Sequence, residues 1–192
     1  MKIFLLSFFT FVNAFAVKAQ VHWSHGVIVL KDATVVVGEM QFQSDVVVFR
    51  ESTTTRIYPA HQVASFRYYD ASSNINRHYL SLADPRFVFP VLRFFEVVTW
   101  GEIAVVRRDL HPLLTGTKDD TEYAYFSLKE NELVPLKKFK ARTYEAMLQR
   151  YPMLLRTYVA TERLSMNRLC DVIRIIKFYN QQVYVPASMA AL

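Results

Sequence analysis

A single cysteine, Cys170, stands in 192 residues, so no intramolecular disulfide can form and the fold must stand on its core. Glycine is scarce too, at four, while aromatics make up 15% of the chain, a balance that suits dense packing and argues against disorder. The net charge of +6 is spread without a basic stripe, which argues against nucleic acid as a partner. No apolar run is long enough for a spanning helix.

The one extended apolar stretch lies at the start. Lys2 gives a positive end, Ile3–Val17 is apolar apart from Ser7, Thr10 and Asn13, and Val17-Lys18-Ala19 offers the residues a signal peptidase reads. Residues 1–19 therefore read as a secretory signal peptide, with the mature chain starting at Gln20 and an exported protein, periplasmic or extracellular. No cysteine follows the apolar run, which excludes lipid attachment at a mature N-terminal cysteine. Cleavage would leave about 170 residues, enough for one domain, and would lower the charge by the two units of Lys2 and Lys18.

Short strand-like runs follow, each closed by a turn signal. Val21–Leu30, Thr34–Gln43, Val46–Phe49, Thr53–Tyr58, Val63–Asp70 and His78–Leu82 are β-branched or aromatic, and their spacing is that of an antiparallel meander. Val35, Val37, Gly38, Met40 and Phe42 form the expected inward set of the second run. Pro59–Gln62 suggests a single helical turn. The centre is Leu92–Arg108, two apolar runs around Trp100-Gly101 that read as a hairpin, and Glu122–Leu128 with Leu133–Leu136 gives another.

The period then changes. Tyr144, Met147, Leu148 and Tyr151 fall at helical spacing from Thr143, Pro152 opens a second helix, and Ser165 caps a third carrying Leu169, Val172, Ile173 and Ile176. Tyr179-Asn180 is its expected end, with 183–192 a loose tail. Strands first and helices last predict an α+β domain over residues 20–182. It is an antiparallel sheet or partial barrel of about eight to ten strands, with two or three short C-terminal helices packed on it from about residue 143.

Several of these features together resemble a loose family of uncharacterised exported bacterial proteins. They are Gly38 after a β-branched run, Tyr58-Pro59 leading into Val63-Ala64-Ser65-Phe66, the hairpin at Gly101, Tyr123–Leu136, Pro152 with Leu154, and Tyr179-Asn180. The resemblance implies export and a β-rich body, and carries no catalytic residues. Such proteins often have cysteines near Pro152 and the chain end, where this chain has Arg150-Tyr151 and Gln181-Gln182.

Chemistry-bearing residues are few. A mature Gln20-Val21-His22 start sets an α-amine, two backbone amides and an imidazole in a square-planar nitrogen set for Cu(II) or Ni(II), unless Gln20 cyclises. His22 and His25 make a weak zinc pair, since an extended strand puts them on opposite faces, and Cys170 reads as a buried small hydrophobe. Ser65, His61 and Asp70 lack a nucleophile-elbow context. Glu96 and Glu102 read as solvent-side charges, as do Asp119, Asp120 and Glu122. Lys137, Lys138, Lys140 and Arg142 form a basic run suited to weak contact with an anionic membrane surface, against the simpler reading of a solvated connector.

No cofactor is implied. The leading reading is a non-enzymatic envelope protein that binds a partner. The alternative is a binder of a lipid-like or apolar ligand in the mouth of a β-barrel, and an unrecognised hydrolase stands third. The metal motif gives a direct test. Mature protein with an unblocked Gln20 should bind one equivalent of Cu(II) with a visible band lost in His22→Ala; no band from an amine confirmed free by intact mass would end the idea.

Overall fold

In the computed structural model, residues 23–51, 54–110 and 123–184 are described. Ten strands form: β1 (Ser24–Leu30), β2 (Val35–Gln43), β3 (Val46–Glu51), β4 (Thr54–Pro59), β5 (Val63–Asp70), β6 (Ile75–Ala83), β7 (Leu92–Thr99), β8 (Ala104–Asp109), β9 (Tyr123–Lys129) and β10 (Glu132–Pro135). They make one open antiparallel sheet in the order β10-β9-β8-β7-β6-β5-β1-β2-β3-β4. Helical residues follow, so the architecture is α+β as the sequence implies. The turns are locally encoded: Glu130 and Asn131 both take positive φ, as a two-residue primed hairpin requires.

The connection between β4 and β5 dictates the shape. β4 is an edge strand, whereas β5 pairs with β1, four strand spacings or about 19 Å away across a flat sheet. Only Ala60–Gln62 join them, a link reaching at most about 14 Å. The sheet must therefore curl. Phe42 of β2 accordingly meets Tyr79 of β6 and Phe94 of β7, with ring centroids 4.7 and 5.8 Å apart. Asp45, in the β2–β3 turn, binds Arg93 and Arg108 on β7 and β8. Gly38 allows the tight wrap, since a Cβ there would stand 2.7 Å from the Arg50 carbonyl oxygen.

The concave side buries Ile28, Met40, Val47, Phe49, Phe66 and Phe94. On β2 Met40 and Phe42 lie inward as expected, while the valines before them take the opposite phase. Val36 packs against this cluster, whereas Val35 and Val37 face outward.

The helical part starts earlier than its sequence period suggests, with a 3-10 turn at Leu136–Lys138 and a π-helical turn at Lys140–Tyr144. Then come α1 (Glu145–Arg150), α2 (Pro152–Thr161) and α3 (Leu169–Tyr184). Pro152 opens α2 as expected. Val172, Ile175, Ile176 and Tyr179 of α3 bury against Ile103 and Val105, while Leu169 is substantially exposed. Cys170 is exposed rather than buried, because it falls off this stripe.

Asn180 does not end the last helix, which runs on to Tyr184; residues 185–192 lie outside the described set. Its buried side chain instead grips the β7–β8 turn. Oδ1 accepts from the Ile103 N–H at 3.0 Å, while Nδ2 donates to the carbonyls of Ile103 at 2.8 Å and Trp100 at 3.4 Å. Gly101 makes the approach possible, since its Cβ would stand 2.1 Å from the Asn180 amide.

Both faces of the central hairpin are consequently covered. Phe94, Phe95, Val105 and Val106 are all buried, and Trp100 at the turn is the large apolar residue of Leu92–Val106 that stays exposed. Removing the Asn180 amide leaves buried backbone groups unpaired, at a cost of about 1–3 kcal/mol. Asn180→Ala should thus lower the midpoint of thermal unfolding by about 2–10 °C. Gly101→Ala should also destabilise, and less so in an Asn180→Ala background, where the clash is gone. Additive losses in calorimetry would contradict this packing.

Candidate functional site

β10 has four residues and pairs only with Phe126–Lys129 of β9. The preceding half of β9, Tyr123–Tyr125, has β8 on one side and no strand on the other among the described residues. Beside this open half-edge stand the Leu136–Lys138 turn and the start of α3. The approach to α3 is fixed by Asp171, whose carboxylate accepts from the Ser165 N–H at 3.0 Å. Ser165 thus begins the lead-in turn rather than capping the helix itself.

Between these elements lies a half-open cavity of about 550 Å³, within the range of small-ligand sites. Tyr125, Phe126, Leu136, Leu169 and Val172 give it an apolar wall, and Arg86, Lys137 and Asn167 supply polar groups. Leu110 and Tyr123, which flank the segment 111–122 outside the described residues, also line it.

Arg86 is held in place by Asp84, through Nε to Oδ1 at 2.9 Å and Nη2 to Oδ2 at 2.6 Å. Burial alone would push the Asp84 carboxyl up. Hydrogen bonds and charge from Arg86, with Arg108 behind it, outweigh burial and hold it below the ordinary carboxylate range. Asp45 is lowered likewise, burial being outweighed by Arg108 and Arg93.

The four cations of the basic run are all exposed, while Phe139 among them is buried and anchors the turn. Lys137 lines the apolar cavity, and Arg142 lines a separate cleft with Ser127 and Lys129.

Glu96 and Glu102 are not solvent-side charges. Glu96 is buried and bridges two arginines, with Arg77 Nη1 and Arg107 Nε each 2.7 Å from one of its oxygens. Arg77 also binds Asp70 at 2.7 Å, and Arg107 lies over the Tyr123 ring. Glu102, partly buried, accepts from Lys129, Arg150 and the Tyr179 hydroxyl and so ties the hairpin to the helices.

Ser65, His61 and Asp70 do not converge on one site. Asp70 lies about 23 Å along β5 from its start beside His61 and is bound to Ser72 and Arg77. His22 with Gln20 and Val21, and the acidic group Asp119, Asp120 and Glu122, lie outside the described residues.

Asp45, Asp70 and Asp84 are all held below their ordinary range, Asp70 first by its hydrogen bond from Ser72 and then by Arg77. Their stabilisation is present above the unfolded carboxylate pKa of about 3.9 and is lost as pH falls through the lower folded values. Acid titration of stability should thus show a steep loss below about pH 4, and Asp84→Asn should be less stable at neutral pH with a shallower acid limb. An unchanged acid limb in that variant would count against the pairing.

No protein-family model, no curated protein and no solved structure matches this chain.

Proposed function

We propose that this is an exported, non-enzymatic binding module whose ligand is a lipid-like molecule with an apolar chain and an anionic head. The observation that carries this reading is the 550 Å³ cavity beside the open half of β9. It is the size of a small-molecule site, its wall is aromatic and aliphatic, and its charged groups, Lys137 and Arg86, are both cations. The site replaces the barrel mouth of the sequence-based alternative, because the sheet is open and its curled half is filled by its own aromatics. Export rests on Lys2, the apolar stretch Ile3–Val17 and the cleavage pattern ending at Ala19.

A protein partner is a second reading. It is favoured by Val35 and Val37 of β2 and Ile57 of β4, large aliphatics that the curl turns outward.

Titration of the mature protein with a fluorescent long-chain carboxylate tests the cavity. Leu169→Trp, which adds bulk to the cavity wall, should weaken binding at least about tenfold, or about 1.4 kcal/mol. Lys137→Glu should weaken the carboxylate but not the neutral alcohol of the same chain length. Undiminished carboxylate binding in both variants would place the ligand elsewhere, and no binding by the wild type would overturn the reading.

A further inference from the structure

The loop between β6 and β7 does something unusual with its apolar residues. It reads Asp84-Pro85-Arg86-Phe87-Val88-Phe89-Pro90-Val91, and it pushes the middle three outward. Val88 is 96% exposed and Phe89 79%, the highest exposures among the large hydrophobic residues described. A flexible loop would fold such side chains back, but this one is braced. The Asp84 N–H donates to the Val91 carbonyl at 2.9 Å, and the Val91 N–H donates to the Phe89 carbonyl at 2.8 Å. The Asp84 carboxylate binds the Arg86 N–H and guanidinium, and two prolines fix φ at either side of the tip.

We propose that residues 87–89 are a membrane-docking tip that enters the headgroup–acyl boundary of an anionic bilayer. Shape is one argument. The tip is a convex point with almost no neighbours, so a protein partner would have to supply a socket, while a fluid interface moulds to it. Charge is the other. Arg86, Arg93 and Arg108 gather at the base of the loop against two carboxylates, Asp84 and Asp45, which leaves one cation in excess. The guanidinium of Arg93 lies 5.5 Å from the Phe87 ring centroid, at the level where lipid headgroups would sit. An apolar insertion with basic residues behind it is the two-part signal that peripheral membrane contact needs.

Arg86 belongs both to this loop and to the cavity wall. Docking through the tip therefore brings the cavity to the bilayer surface, where a single-chain lipid anion can pass between the two. That purpose rests on the ligand reading above; the docking itself does not.

Vesicle sedimentation of the mature full chain tests the tip. Vesicles of phosphatidylcholine with about 30 mol% phosphatidylglycerol should bind the protein, and pure phosphatidylcholine should bind it more weakly. The double variant Val88→Ser/Phe89→Ser should lose at least about tenfold in vesicle affinity. Its binding of the fluorescent carboxylate in vesicle-free buffer should stay unchanged, which also shows that it is folded. Wild-type protein that ignores both vesicles, or a double variant that binds them as the wild type does, overturns the tip. So does a result in which changing Lys137, Lys138, Lys140 and Arg142 to glutamine abolishes binding while the double variant retains it. Failure of carboxylate binding alone would sink the cavity reading and leave the docking intact.

Discussion

The grip of Asn180 on the β7–β8 turn is the contact on which the rest of the helical layer depends. A buried carboxamide satisfies the N–H and C=O of Ile103 together, and the missing side chain at Gly101 lets α3 come down onto the turn. With its C-terminal half pinned there, α3 lays Ile175, Ile176 and Tyr179 against Ile103 and Val105. Its first turn then lies beside the part of β9 that β10 is too short to cover. The cavity is what remains between a pinned helix and an incomplete sheet edge, so packing in one place creates space in another.

A comparable constraint shapes the other half of the molecule. Three residues between β4 and β5 force the first strands to wrap, and the wrap is filled by aromatic rings in contact, Phe66 stacked on Tyr79 with Phe42 tilted against both. Asp45 then fastens the wrapped hairpin to Arg93 and Arg108, which in turn neighbour Asp84 and the β6–β7 loop. Charges removed from water are worth little unless paired, and here each carboxylate faces at least one guanidinium. The same cluster that latches the curl also stiffens the protruding tip.

The layering was legible because its signals are local. Turn residues at regular intervals marked the strands, the Gly101 break marked the hairpin, and the change to helical spacing after Thr143 marked the helices. What escaped depends on register or on distant partners. Three consecutive valines at 35–37 carry no phase, so the inward member could not be chosen. Glu96 looks like a surface charge until Arg107 is known to lie opposite and Arg77 within reach. Asn180 resembles a helix terminator, since its partner lies 77 residues earlier in the chain. The cavity exists only because β10 stops short, which no residue in it announces.

If the space beside β9 holds an amphipathic anion, methyl-resolved NMR of the chain from Gln20 should report it. Titration with a single-chain fatty carboxylate should shift the methyl signals of Ala124, Leu136, Met166, Leu169 and Val172, all of which line the cavity. Those of Val35, Val37 and Ile57, on the outer side of the curled sheet, should stay in place. Shifts confined to the outer valines, or none at all, would contradict the account.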